Sequence, residues 1–161
     1  MYNIGDKIVY PMHGAGVVES IEEKEILGQK QNYYVMKMPF GDMKVMIPTH
    51  NVTDIGIRDV ISRNDADSVL NELCNLKPVI AGNWNKRYRD NMVKIKSGDI
   101  FEVADVVGSL MQREKEKGLS TGERKMLNSA KQILVSELVL AKNMQQKEIE
   151  GMIYKNFGQE L

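Results

Sequence analysis

A change of hydrophobic period near residue 60 constrains the fold more than any other feature of this chain. Before it, β-branched and aromatic residues alternate with polar ones between Gly and Pro breaks; after it, apolar residues recur at helical spacing. The two periods cannot share one element type, because a strand buries every second side chain and a helix every third or fourth. The chain is therefore read as α+β, with a small antiparallel β-barrel over residues 1–60 and an all-helical bundle over residues 61–161. With 161 residues, each half is small enough to have a thin core, so the halves are expected to lean on each other.

Punctuation places the elements. Lys7–Tyr10 reads as a short strand stopped by Pro11, and His13–Gly16 as a turn with two glycines available for positive φ. Gly16–Ile26 and Tyr33–Met38 form a hairpin about Gly28-Gln29-Lys30, Met43–Pro48 follows, and Val52–Ile57 fits a last strand. Helices are expected over Asp65–Asn75, with Leu76 on the same face and Pro78 as a stop, then over Trp84–Lys96 behind an Asn83 N-cap. Asp99 opens a helix that ends at Gly118. The capping box Ser120-x-x-Glu123 opens another through Lys142, and Lys147–Phe157 closes the bundle before Gly158.

Composition narrows the chemistry. The formal net charge is zero, and of 22 basic and 22 acidic residues the first sixty positions hold 6 and 8, so any nucleic-acid contact must come from local clustering. The lone Cys74 permits neither an internal disulfide nor a cysteine zinc site, and among Leu70, Leu73 and Leu76 it reads as a buried apolar residue. The N-terminus has neither the basic nor the apolar part of a signal peptide, and no apolar run approaches membrane-helix length, so a cytoplasmic location is expected. His13 and His50 lack metal-pair spacing, and no phosphate loop or dinucleotide fingerprint occurs. No catalytic constellation, metal or cofactor is expected; the chain reads as a binding protein.

The most informative stretch is Asn83-Trp84-Asn85-Lys86-Arg87-Tyr88-Arg89. At about 100° per residue, Trp84, Tyr88 and Ile95 share one helix face and Lys86, Arg89 and Lys96 another, with Arg87 and Lys94 flanking the first. Two readings fit. One is a half-buried aromatic face ringed by snorkelling cations. The other is a nucleic-acid contact in which the cations neutralise phosphates and the tryptophan wedges against a base step, supported from the core side by Tyr88. Arg124-Lys125 forms a second basic group in the first turn of a helix, where cations oppose the macrodipole; with no evident partner, they fit either an external anion or a purely solvated surface role. The helix start at Gly98-Asp99 offers further N–H groups to phosphate.

These segments carry a resemblance. Gly5-Asp6-x-x-Val9-Tyr10-Pro11-x-His13-Gly14-x-Gly16-x-Val18 resembles the opening of CarD-like bacterial transcription regulators, and also the polymerase-interacting module of the transcription-repair coupling factor. Pro48-x-x-Asn51, Gly56-x-Arg58, Asn83-Trp84-x-x-Arg87-Tyr88, Ser97-Gly98-Asp99 and Gly118-Leu119-Ser120-x-Gly122-Glu123 extend it over essentially the whole chain. The Asn-Trp and Gly-Leu-Ser segments favour the CarD-like family. The resemblance implies a Tudor-like β domain that docks on the β1 lobe of the RNA polymerase β subunit, partly by strand-edge pairing, through Lys24, Glu25 and Ile26 and through Val45, Met46 and Ile47. Family members often carry arginine where this chain has Lys24 and Met46, so docking is expected either to depend more on apolar and backbone contacts or to be weaker. It further implies promoter-DNA contact at the upstream edge of the −10 element, with Trp84 as wedge, Lys86, Arg87 and Arg89 as its basic neighbours, and Arg124 and Lys125 as a second basic pair. The implied activity is a non-enzymatic, global regulator that stabilises the open complex and is held at the nucleoid by polymerase. The rival reading is a polymerase-binding adaptor that recruits another protein without touching DNA.

Overall fold

The computed structural model describes residues 1–75 and 83–156, without the side chains of residues 74, 75 and 156. The expected burial of Cys74, the roles given to Leu76 and Pro78, and the helix end at Phe157-Gly158 fall outside them.

Strands β1 (Lys7–Tyr10), β2 (Gly14–Ile26), β3 (Gln29–Lys37), β4 (Lys44–Pro48) and β5 (Arg58–Asp59) form one antiparallel sheet in the order β4-β3-β2-β1-β5. The long β2 pairs with both β1 and β3, and a bulge between Val18 and Ser20 shifts its register where the partners change. Ile8, Val18, Tyr34, Met36, Met38 and Ile47 form its buried core. Tyr2 ties β3 to the approach of β5: its N–H donates to the Tyr34 hydroxyl (3.0 Å) and its own hydroxyl to the Ile57 carbonyl (3.4 Å). This is the Tudor-like β domain expected, antiparallel throughout.

Two local expectations need correction. The β1–β2 turn is Pro11-Met12-His13, with Met12 as its left-handed residue (φ 73°), and Gly14 and Gly16 already lie in β2. Only Gly14 uses positive φ; Gly16 is needed because a Cβ there would sit 2.6 Å from the Lys37 carbonyl oxygen. The strand expected over Val52–Ile57 is instead a 3-10 turn at Thr49–Asn51 and a one-turn helix α1 (Val52–Ile55). Gly56 ends it at φ 87°, its N–H bonded to the Val52 and Thr53 carbonyls. Strand propensity loses here because a helical turn lets Val52 and Ile55 both reach the β core. The pairing strand comes later, Arg58–Asp59 against Val9–Ile8.

Helices α2 (Arg63–Asn75), α3 (Trp84–Lys96), α4 (Ile100–Glu116), α5 (Thr121–Lys142) and α6 (Gln146–Asn156) follow. Their starts are the ones the caps dictate: Asn83 accepts from the Lys86 N–H, Asp99 from the Phe101 N–H and Ser120 from the Glu123 N–H. Val103, Val107 and Leu110 of α4 meet Leu127, Leu134 and Leu138 of α5 at the centre of the bundle. None of the described helices is long and apolar enough to cross a membrane.

Helix α5 also carries the β domain. Ser136 accepts the Ala15 N–H at 2.8 Å and donates to the Ile133 carbonyl, and a Cβ on Gly14 would lie 2.7 Å from its oxygen. Next to it, Glu137 is 1% exposed. Its carboxylate takes both terminal nitrogens of Arg58 at 2.7 Å and the Ile61 N–H at 3.0 Å. Arg58 completes its fork on the Gly98 and Asp59 carbonyls. A charge buried this deeply is tolerable only with such full pairing. Glu137→Gln is therefore predicted to lower the unfolding free energy by about 3 kcal/mol, by leaving Arg58 without its counter-charge. Arg58→Met combined with Glu137→Leu is predicted to recover most of that loss. Urea titrations decide it; an equal loss in the single and double variants contradicts the account.

Candidate nucleic-acid interface

Asn83 sets Trp84 as the first residue of α3 by capping the helix at the Lys86 N–H (2.9 Å). Lys94 and Lys96 in the last turn complement the helix dipole. The buried face of α3 is marked by Ile95, while Tyr88 and Met92 pack on the bundle. Trp84 itself stays 41% exposed. Its ring stacks on Tyr88, with centroids 5.0 Å apart and planes 21° from parallel, so Tyr88 supports it from the core side as expected.

Two further contacts were not anticipated. Trp84 Nε1 donates to Ser120 Oγ at 2.9 Å, and its Cζ2 lies 3.3 Å from where a Cβ on Gly122 would stand. The Ser120 hydroxyl also accepts the Glu123 N–H (3.2 Å) and donates to Glu123 Oε1 (3.3 Å), so its one donor and two acceptor sites are all in use. Glu123, 3% exposed, faces Arg87 Nε at 3.7 Å and Arg113 Nε at 3.8 Å. The capping-box spacing was the only sequence signal for this cluster, and it gave no hint of the tryptophan.

The expected cations are disposed unequally. Arg87 turns inward to Glu123 and acts on the site from beneath. Lys86 pairs with Asp90 at 3.0 Å, but both side chains are more than half exposed and such pairs are weak. Arg89 and Lys125 are exposed. Arg124, read from sequence as lacking a partner, pairs with Glu114 at the end of α4, and Glu123 in the same turn offsets the dipole penalty. Because Trp84 opens α3 and Ser120 caps α5, their bond joins two helix N-termini, each worth about half a positive charge. Gly98-Asp99 does not join them. It lies beyond the other end of α3, about 20 Å away at 1.5 Å per residue, with Gly98 against Pro11 and its carbonyl on Arg58.

The residues expected to meet a protein partner lie on the β domain. The strand β4 is an outermost strand of the sheet, and its outer edge is unpaired among the described residues. Ile47 is fully buried and Val45 packs beside it, so only Met46 (37% exposed) and the edge backbone face outward. Lys44 bonds Glu19 at 2.9 Å, which lowers the Glu19 carboxyl below its ordinary range and raises the Lys44 ammonium above its own. Lys24, Glu25 and Ile26 are all exposed near the hairpin tip, Lys24 opposite Gln31. Met46 sits opposite Val35, about 13 Å along β3 at 3.3 Å per residue. The tip ends in Leu27 (φ 53°, 99% exposed) and Gly28 (φ 79°), two left-handed residues as a tight hairpin demands. The turn expected at Gly28-Gln29-Lys30 is therefore Leu27-Gly28, and Gln29 and Lys30 already belong to β3. Because Ile47 points into the core, Ile47→Ala is predicted to lower the unfolding free energy by about 3 kcal/mol. A urea titration measures it, and an unchanged midpoint contradicts the burial.

Comparison with known proteins covers both halves. The family profile described as the CarD-like/TRCF RID domain matches residues 2–61, and the one described as the CarD C-terminal domain matches residues 68–154. YdeB of Bacillus subtilis (strain 168), named as a candidate transcription factor, is 44% identical over 163 residues, spanning 98% of this chain and 100% of that protein. The solution NMR structure of the 72-residue N-terminal domain of Myxococcus xanthus CarD is 36% identical over 37% of this chain and 79% of its own; its TM-score of 0.33 carries no structural argument. Profile matches on both halves and similarity along the full length agree, and the chain belongs to the CarD-like family of transcription factors.

Proposed function

We propose that this chain holds the RNA polymerase β subunit at its β1 lobe with the β domain, and stabilises the melted promoter with Trp84 at the upstream edge of the −10 element. One observation carries the reading: a half-exposed tryptophan, held on one face and one edge, stands where two helix N-termini meet. Lys86, Arg89, Arg124 and Lys125 lie in the first turns of those helices or just beyond. Helix N-termini and mobile cations suit phosphates, and an apolar ring suits an unstacked base step.

The docking half is supported by the free β4 edge and the exposed hairpin, surfaces that add a strand to a partner or insert side chains into it. With Met46 and Lys24 in place of two arginines, apolar and backbone contacts dominate this dock. Polymerase supplies the address on DNA, because most contacts from the helical half go to phosphate and carry no base information. The effect is thermodynamic linkage: a protein that binds the open complex more tightly than the closed one shifts the balance toward melting, tenfold for about 1.4 kcal/mol.

Trp84→Ala is predicted to shorten the lifetime of the open complex at least severalfold while polymerase binding persists, as measured by competitor challenge of preformed complexes. An unchanged lifetime sinks the wedge and leaves the adaptor reading, which Val93 would serve: it is 69% exposed beside a groove between α3 and α4. Affinity for upstream fork DNA is predicted to fall linearly with the logarithm of salt concentration, and Arg89→Ala to reduce that slope by about 1. A flat salt dependence argues against phosphate contacts.

A further inference from the structure

We infer that Ser120 and Gly122 are positioning residues for Trp84: they hold the indole in a single orientation and occupy its only polar group. The inference rests on the proposed contact of Trp84 with DNA. A tryptophan in the first turn of a helix, 41% exposed, would ordinarily sample more than one rotamer. Here the Tyr88 ring covers one face, and the Nε1–Cζ2 side lies against the first turn of α5.

Gly122 supports this independently. It is the second residue of α5, and its φ is not among the positive values that would demand glycine. Outside its own helix, the atoms nearest the position a Cβ would take are Trp84 Cζ2 at 3.3 Å and Tyr88 Cε2 at 3.9 Å. A Cβ there would press on the indole, and its absence leaves the ring room. Ser120 is likewise more than a cap. A cap needs only to accept the Glu123 N–H, whereas this hydroxyl also takes the indole N–H, and its own proton goes to the buried Glu123. Arg87 Nε and Arg113 Nε lie 3.7 and 3.8 Å from Glu123 Oε2, beyond hydrogen-bond reach, so a hydroxyl that turned away would also take the donor from Oε1 of this buried carboxylate.

Two consequences follow for binding. A ring free among rotamers must be ordered on contact, which weakens binding by about two- to tenfold; a ring already held escapes that loss. With Nε1 bound to Ser120, the ring cannot donate to the minor-groove acceptors, so Trp84 wedges without distinguishing A·T from G·C.

The test uses the full chain, in which Trp84 is the only tryptophan and its fluorescence reports on this site alone. Thr and Gly are about equal as N-caps, but only Thr keeps a hydroxyl, so Ser120→Thr and Ser120→Gly form a matched pair. Acrylamide quenching of Ser120→Thr should match the parent. Ser120→Gly should quench about twice as efficiently at equal helix content and shorten the open-complex lifetime about two- to tenfold. Gly122→Ala should leave the melting temperature unchanged or higher while shifting the Trp84 emission and shortening the same lifetime; a purely structural glycine would not move these in opposite directions. Equal quenching of the Thr and Gly variants, together with an unmoved emission in Gly122→Ala, overturns the inference. If Ser120→Gly raises quenching as expected but leaves the lifetime unmoved, the positioning stands and the DNA contact of Trp84 fails.

Discussion

The buried bond between Arg58 and Glu137 decides how the rest of the molecule is arranged. One partner comes from the last strand of the sheet and the other from the middle of α5. The helical half has a broad buried core and the β half a small one, and directional groups tie the two together: a bidentate ion pair, the Ile61 N–H on the same carboxylate, and the Ala15–Ser136 bond. Buried ion pairs add little net stability over apolar replacements, but breaking one leaves a charge stranded. What such a joint contributes is a defined angle between two surfaces.

Helix α5 carries a second, looser cluster, in which Glu123 Oε2 stands 3.7 and 3.8 Å from two arginines without a hydrogen bond among the described residues. It carries two buried carboxylates, Glu137 and Glu123, and each gathers arginines from neighbouring elements: Arg58 from β5 in one case, Arg87 of α3 and Arg113 of α4 in the other. The first fixes the β domain to the helix and the second fixes the start of α3, and with it Trp84. From Ser120 to Glu137 the helix spans about 25 Å at 1.5 Å per residue. The proposed polymerase-binding and DNA-binding surfaces are thus held by one rod, and a polymerase-bound β domain presents the tryptophan at a set distance.

Much of this was legible in the sequence because it depends on neighbours in the chain. The change of period gave the two kinds of element, Asn83, Asp99 and Ser120 marked helix starts, and the helical spacing of Trp84 and Tyr88 put them on one face. The misreadings share a cause. Val52–Ile57 has strand propensity, yet a left-handed Gly56 and contact with the β core make it a helical turn. Arg124 seemed to lack a partner because Glu114 belongs to the preceding helix. The inward turn of Arg87, the indole–Ser120 bond and the Arg58–Glu137 joint join residues 36 to 79 positions apart, and no local pattern encodes them. The residues proposed to meet polymerase were reached through family resemblance, and there the backbone separates the exposed Met46 from the buried Ile47.

The central claim is that Trp84 touches DNA where melting begins, while polymerase holds the other end of the chain. Photo-crosslinking tests it most directly. 5-Iododeoxyuridine would be placed at single positions across the upstream edge of the −10 element in a polymerase–promoter complex containing this protein, and the adduct mapped by mass spectrometry. The account predicts an adduct on Trp84, at one or two adjacent positions, formed only when polymerase is present. Adducts confined to other residues, or none from this chain in a complex that demonstrably contains it, would contradict the claim.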